Sequence, residues 1–111
     1  MKGDFMTKIN TYGLFELEAY YAREELWMHS TDIEMRNILS NVLKTKFEIK
    51  NSEETSNGII LCFKKHNTET KSGRVTDVLK IAFDAAVILL LENYWEPMQF
   101  DGGKLHFKKK Y

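Results

Sequence analysis

Cysteine and proline are almost absent from this chain of 111 residues, which contains one of each. A single cysteine cannot form an internal disulfide. Cys62 lies within the apolar run of residues 59–63, where a thiol behaves as a small hydrophobic side chain. We therefore expect a buried, unreactive Cys62 in a reducing compartment, and no disulfide framework.

The sequence also lacks a long uninterrupted apolar run. Its most apolar segment, residues 81–91, contains Asp84, and it is shorter than the stretch of about 20 residues that a membrane-spanning helix needs. No apolar segment follows the first residues, so we expect no secretory signal. These features predict a soluble, intracellular protein without membrane association, located in the cytoplasm, for example that of a bacterial host.

Arginine is scarce, since it supplies three of the sixteen cationic side chains of a chain whose net charge is zero. Planar guanidinium groups are the usual readers of phosphates and guanine edges, so this composition does not favour nucleic-acid binding. A chain of this length folds as one domain and buries about 65% of its extended surface. We expect residues 1–12 to form a flexible N-terminus and residues 13–111 to form a single α+β domain.

The apolar residues near the N-terminus have helical spacing, which predicts a first helix over residues 13–28. Residues 31–34 have the form of a capping box, in which the Thr31 side chain accepts a hydrogen bond from the amide of Glu34. A second helix is therefore predicted to begin at Thr31. Together the two segments predict an N-terminal helical hairpin, with one bent helix as the alternative.

The apolar pattern changes to a period of two at Thr45, which predicts a strand over residues 45–50. Residues 51–58 are polar and end in an Asn-Gly turn signal. Residues 59–63 are apolar on both faces, so we expect a second strand that lies centrally in its sheet or is covered on both sides. These segments predict a first β-hairpin.

One long helix is predicted over residues 75–95. Lys80 and Asp84 lie on its polar face and are spaced to form a surface ion pair. Val87 and Leu91 continue that face with apolar side chains, so we expect the face to leave solvent partway along the helix. Either the helical hairpin or a second copy of the chain in a homodimer would cover the Val87/Leu91 face.

A second β-hairpin is predicted around the turn at residues 101–103, because apolar and polar residues alternate on both sides of it. Its predicted apolar face consists of Met98, Phe100, Leu105 and Phe107. The predicted fold class is α+β: an N-terminal helical hairpin is followed by two β-hairpins that flank a long buried helix, in the order ααββαββ. The two hairpins would form a four-stranded antiparallel sheet.

No residue pattern indicates a catalytic site, a metal site or a cofactor. His29, His66 and His106 lack the spacing of zinc ligands. The neighbouring carboxylates Glu24 and Glu25 would point apart on a helix, so they do not form an acid–base pair. We therefore expect no catalytic residues, no bound metal and no cofactor.

The tyrosine and tryptophan side chains are the first candidate for a binding surface. Those in or near the predicted first and long helices are Tyr12, Tyr20, Tyr21, Trp27, Tyr94 and Trp95. The first helix and the end of the long helix cannot bury all of these aromatic side chains. Rigid aromatic side chains often anchor protein interfaces. With the nearby glutamates they would form an acidic, aromatic surface that suits a basic protein. The candidate partner-binding residues are Glu16, Tyr20, Glu24, Glu25 and Trp27.

A lysine-rich face of the predicted sheet is the alternative candidate. Its residues, which could contact nucleic acid, are Lys46, Lys50, Lys104, His106 and Lys108. Sheets that bind single strands add aromatic side chains on the same face, onto which bases stack. Here Phe47, Phe100 and Phe107 follow the pattern of the opposite, core-facing side. The alternative therefore lacks the stacking contribution.

We interpret the chain as a small non-enzymatic binding protein that occupies a surface of another protein. One specific form would be an inhibitor of a host nuclease or defence system, of the anti-CRISPR or anti-restriction type, encoded by a phage or mobile element. The alternative is a nucleic-acid-binding accessory protein that uses the lysine-rich face. An enzyme whose site is spread over positions without a motif is a third hypothesis.

Overall fold

The computed structural model describes residues 13–64, 67–69, 73 and 75–110. Its strands and helices follow in this order: β1 (Leu14–Tyr20), β2 (Glu25–His29), α1 (Ile33–Lys46), β3 (Ile49–Thr55), β4 (Gly58–Phe63), β5 (Asn67–Glu69), β6 (Val75–Asp77), α2 (Val78–Glu92), β7 (Trp95–Asp101) and β8 (Lys104–Lys109). A short 3-10 turn, Tyr21–Arg23, joins β1 to β2. The protein is therefore α+β, while the predicted flexible N-terminus lies outside the described residues.

The predicted N-terminal helical hairpin is wrong, because residues 14–29 form the antiparallel pair β1 and β2. The same residues that have helical spacing also alternate: Phe15 and Leu17 are buried, and Glu16 and Glu18 are not. A period of two fits a strand that is buried on one side. Pairing on both sides of β1 therefore overrides the helix propensity of its leucine, glutamate and alanine residues.

The main sheet has six antiparallel strands in the order β3-β4-β2-β1-β8-β7, not the predicted four. The central strands of this sheet are β1 and β2, which form the N-terminal hairpin of the described chain, and β1 pairs with both β2 and β8. Strand β4 lies between β3 and β2, as expected of a segment that is apolar on both faces. Strands β5 and β6 form a separate pair.

The two faces of the six-stranded sheet differ in composition. One face, called here the inner face, joins the two helices in a single hydrophobic core. Its largest buried side chains on the strands are Trp95, Phe15, Phe107, Leu17, Leu26, Met28 and Leu61. The opposite, outer face carries the side chains that alternate with these along each strand. The described helices both contribute to the core on the inner face. The fold is thus a two-layer arrangement of helices on one side of a sheet.

Helix α1 begins one residue later than the capping box predicts. Its N-cap is Asp32, whose carboxylate accepts a hydrogen bond of 3.0 Å from the backbone N–H of Met35. Asp32 is in turn positioned by Ser30, whose Oγ accepts from the Asp32 N–H at 3.0 Å and donates to the carbonyl of Leu14 at 2.6 Å. Buried Ser30 therefore ties the start of the helix to β1.

The strand predicted over residues 45–50 is also displaced. Helix α1 continues through Lys46, and strand β3 runs from Ile49 to Thr55 through most of the segment predicted as a polar loop. Strand β3 is an edge strand, and its polar side chains are mostly exposed. Hydrogen bonding to the apolar strand β4, rather than burial of its own side chains, makes this segment a strand. A turn does connect the two strands, but it consists of Ser56 and Asn57, one residue before the predicted Asn57-Gly58 turn, and Gly58 is the first residue of β4.

Helix α2 is shorter than predicted, and it is not covered on all sides. Leu79, Ala82, Ala86 and Leu90 form its buried side. On the opposite side, Ile88 is 54% exposed and Leu91 is 48% exposed. The predicted cover by a helical hairpin is wrong, because the residues expected to form that hairpin are strands of the sheet. No helix among the described residues is long and apolar enough to span a membrane.

The second β-hairpin is confirmed, and its strands β7 and β8 are longer than predicted. Gly102 and Gly103 in its turn both have positive φ, at 58° and 84°, which glycine adopts at low cost. Phe107 is buried, but Phe100 on the predicted apolar face is 68% exposed, because it lies towards the turn end of the hairpin. The hairpin therefore contributes its fully buried side chains, Trp95 and Phe107, at the end away from its turn, while Leu105 near the turn is partly buried against the core.

Neighbouring leucines on α2 provide a test of this packing. We predict that Leu90→Asp prevents cooperative folding, because it places an unpaired charge in the core. Leu91→Asp, on the exposed side of the same helix, is the matched control and should change the melting temperature by only a few degrees. Thermal melting followed by circular dichroism measures both. Equal stability of the two variants would contradict the described orientation of α2.

Candidate functional site

Aromatic side chains form a line on the outer face of β1 and β2. Tyr20 stacks on Trp27, with ring centroids 5.8 Å apart and an angle of 23° between the planes. The His29 ring packs edge-on against Trp27, with ring centroids 5.5 Å apart and an angle of 81° between the planes. We call Tyr20, Trp27 and His29 the aromatic ridge. Trp27 and His29 are paired with β1 on one side and β4 on the other, whereas Tyr20, at the end of β1, is paired with Glu25 of β2 only.

The turn between β1 and β2 places a cation at one end of the aromatic ridge. The guanidinium carbon of Arg23 lies 5.4 Å from the centroid of the Tyr20 ring, within the range of a cation–π interaction. The turn closes at Glu24, which has a left-handed backbone (φ 55°) and whose N–H donates to the carbonyl of Tyr21 at 3.2 Å. The carbonyl of Glu24 also accepts from the N–H of Phe63 at 2.9 Å, which fixes the turn to β4.

Trp27 also covers apolar surface on the outer face. It lies directly opposite Ile60 of β4, which is only 9% exposed although it points away from the core. The indole N–H of Trp27 donates to Oε1 of Glu25 at 3.0 Å, so its polar edge is satisfied. At the His29 end of the ridge, Gly58 of β4 lies directly opposite His29. A Cβ atom on residue 58 would collide with the His29 ring and the Met28 carbonyl. The ridge is therefore closely packed on the sheet.

Charged side chains surround the aromatic ridge. The register places six carboxylates and two lysines on the outer face: Glu16, Glu18, Glu25, Glu53, Glu96, Asp101, Lys104 and Lys108. Lys104 lies 3.9 Å from Glu16 and Lys108 lies 3.3 Å from Glu96. These partly exposed ion pairs contribute little to stability, but they neutralise two of the carboxylates. The outer face as a whole is acidic.

The sequence-predicted partner-binding residues come together, although not on a helix. Glu16, Tyr20, Glu25 and Trp27 share the outer face of β1 and β2, and Glu24 lies in the turn between these strands. The expectation that they lie on a helix is wrong, because the helix itself is absent. Of the other aromatic candidates, Trp95 is buried, Tyr21 and Tyr94 are exposed, and Tyr12 lies outside the described residues.

The residues of the alternative, lysine-rich candidate surface do not lie together on one face of the sheet. Lys104, His106 and Lys108 lie on the outer face of β8. Lys46 is the last residue of α1, and Lys50 lies at the irregular pairing of β3. Phe107 lies in the core and Phe47 packs against it, as expected, while Phe100 is exposed. The aromatic ridge, however, shares the outer face with the β8 lysines, so that face does not lack aromatic side chains. Six carboxylates on that face nevertheless oppose the approach of a polyanion.

Sequence reasoning missed three contributors to this surface: Arg23, His29 and Ile60. The signal that could have found His29 is the alternation of Glu25, Trp27 and His29, which marks one side of a strand. Glu16 also has a histidine directly opposite on each neighbouring strand, His29 on β2 and His106 on β8. Within the described part of the chain, no group of three or more His, Cys, Asp or Glu side chains could hold a metal ion. His66 lies outside the described residues.

Two open depressions border the outer face. The larger one has a volume of about 330 Å3 and is lined by Arg23, Glu24, Lys50, Cys62, Phe63 and Lys64. Cys62 is only partly buried, with its Sγ 3.9 Å from the Arg23 carbonyl, so the expectation of a buried thiol is wrong. The smaller depression, of about 140 Å3, is lined by Leu14, Glu16, His29, Ser30, Thr31 and Asn57. Both are open hollows beside the ridge rather than enclosed cavities.

The arrangement on the outer face is therefore a packed aromatic ridge on rigid strands, flanked by carboxylates and ended by an arginine. Comparison with known proteins adds no relative: no family model, no curated protein and no solved structure matches this chain.

Proposed function

We propose that this protein is a non-enzymatic binding protein that contacts a partner protein through the outer face of its sheet. The observation that carries the proposal is the aromatic ridge, since Tyr20 and Trp27 stack on each other on the face that the described helices leave open. Tryptophan, tyrosine and arginine are the residues most enriched among those that dominate interface energies. All three types occur together at this site.

The charge of the outer face indicates the kind of partner. Carboxylates outnumber lysines there by six to two, so the electrostatic potential favours a basic protein surface. Complementary charge of this kind steers the approach of the partner, while the aromatic side chains supply most of the contact area. Our proposed contact surface therefore remains the set of residues predicted from the sequence: Glu16, Tyr20, Glu24, Glu25 and Trp27.

We propose an inhibitor of a host nuclease or defence system, encoded by a phage or another mobile element, as the specific form of this function. Proteins that act on nucleic acids carry lysine- and arginine-rich surfaces to bind phosphates. An acidic face with aromatic anchors would occupy such a surface and exclude the substrate. The support for this form is the charge of the outer face alone.

Substitution of Trp27 provides the test, once a partner has been captured from the native host and identified by mass spectrometry. We predict that Trp27→Ala weakens binding to that partner by about 30-fold or more, the effect of losing a central aromatic anchor. Phe100→Ala is the matched control, because Phe100 is an exposed aromatic side chain away from the ridge. It should leave the affinity unchanged. Unchanged affinity in folded Trp27→Ala, checked by near-ultraviolet circular dichroism, would refute the proposed contact surface.

Nucleic-acid binding is a second candidate because aromatic side chains and the β8 lysines share one face. The acidic balance of that face opposes it, so we predict no DNA or RNA binding that depends on Lys104 and Lys108. Fluorescence anisotropy with labelled oligonucleotides, at low and at moderate salt, measures this. Binding that falls steeply with salt and is lost in the Lys104→Gln/Lys108→Gln variant would establish the second candidate instead.

A homodimer is a separate proposal that concerns the other layer of the fold. The proposed interface is the Val87/Leu91 face, where Leu91 is exposed together with the neighbouring Ile88, Ile81 and Asp84. A two-fold axis beside the helix would bring this side of α2 against its own copy. Val87 on this face is half-buried. We predict a dimer in sedimentation equilibrium that Ile88→Asp converts to a folded monomer. A monomeric wild type at high micromolar concentration would exclude this proposal.

A further inference from the structure

The Tyr20 ring already carries a guanidinium group in the free protein. Arg23 lies over it at 5.4 Å, while Trp27 stacks against the same ring at 5.8 Å. Arg23 is itself exposed and belongs to a turn of three residues. Among the described residues, no ion pair holds its side chain in place. An exposed side chain without an ion pair among the described residues therefore covers an aromatic ring that lies on the sheet.

Carboxylates are available beside this aromatic face. Glu18 lies directly opposite Trp27 on β1, and Glu25 lies directly opposite Tyr20 on β2. Glu53 lies across Ile60 on the far side of the ridge. Within the described part of the chain, no ion pair engages Glu18 or Glu53. A cation above the Tyr20 and Trp27 rings would thus have charged acceptors on both sides.

We propose that the outer face recognises an arginine side chain of its partner, and that this arginine takes the place of Arg23 on the Tyr20 ring. This inference rests on the proposed function, since it concerns the same surface. The guanidinium group is planar, stacks on aromatic rings and is more weakly hydrated than an ammonium group. Its fork of donors can also reach a neighbouring carboxylate while its plane remains on the ring. Lysine can also place its charge over a ring, but its compact, strongly hydrated ammonium group cannot stack on the ring, so arginine is the preferred cation.

Arg23 is then an internal competitor for the site. The incoming arginine must displace it, and this displacement reduces the apparent affinity. Removing the Arg23 side chain frees the ring and also removes a positive charge from the neighbourhood. Both effects favour the binding of an external guanidinium. A residue that contacted an acidic group of the partner would behave in the opposite way.

The experiment uses capped five-residue peptides of the form Gly-X-Gly-X-Gly, in which X is arginine, lysine or the neutral isostere citrulline. Titration into the 15N-labelled full chain is followed by the two tryptophan indole N–H resonances. Trp27 reports on the ridge, and buried Trp95 provides an internal control. We expect the arginine peptide to shift the Trp27 resonance, the lysine peptide to bind about two- to five-fold more weakly, and the citrulline peptide to have no effect.

Two variants complete the test. Arg23→Ala should strengthen binding of the arginine peptide by about two- to five-fold, the range of an exposed cation–π contact. Tyr20→Leu keeps an apolar side chain but removes the aromatic face, and it should abolish the preference for arginine over lysine. Equal binding of the arginine and lysine peptides to the wild type would overturn the inference, and so would weaker binding to Arg23→Ala.

These outcomes are separable from failure of the proposed function. If the captured partner requires Trp27 but the peptides show no preference for arginine, the outer face is a protein-binding surface and the arginine inference is wrong. If the partner binds Trp27→Ala normally while the arginine preference holds, the site binds arginine but the proposed contact surface is wrong. Arginine preference together with Trp27 dependence supports both.

Discussion

Strand β1 is the element on which the rest of the structure depends, because it has a hydrogen-bonded partner on each side. It joins β2, its neighbour in sequence, to β8, the last strand of the described chain. Phe15 lies opposite Phe107, and the Phe15 ring packs edge-on against Trp95 at 5.7 Å. These contacts bring the two ends of the described chain into one core. A shift of one residue in this pairing would move Glu16 into the core and Phe15 to the outer face, so burial fixes the register.

The register of β1 also determines what the outer face can do. Both described helices pack on the inner face, so every second residue of the central strands points away from the core. Trp27 and Tyr20 lie on that side, where they stack on each other rather than inserting between helices, and Trp27 lies opposite Ile60. Trp27 is held by backbone pairing on both sides, so this part of the ridge changes shape little when a partner binds. Such preorganisation lowers the entropic cost of association.

Local signals predicted some elements of the fold and could not predict others. The β7–β8 hairpin and helix α2 were predicted because a Gly-Gly turn and a dense apolar segment mark them within a short window. The β1–β2 hairpin was missed because its turn contains neither glycine nor proline. It closes instead at Glu24, a residue that rarely has positive φ. Its strands also contain Leu, Glu and Ala, which favour helices in isolation, and only distant partners select the extended form.

The candidate surface could be predicted in composition but not in geometry. Choosing aromatic and acidic residues from one segment brought together Tyr20, Glu25 and Trp27, which do share a face, but the contribution of β8 required the sheet order. That order also sets which charges face each other on the outer face. Lys104 and Lys108 form ion pairs with Glu16 and Glu96, and Lys104 lies directly opposite Glu18 on β1. Glu25 and Glu53, on the β2 and β3 side, have no lysine directly opposite them. An incoming basic side chain therefore meets aromatic contact area and carboxylates that face no lysine on this side of the sheet.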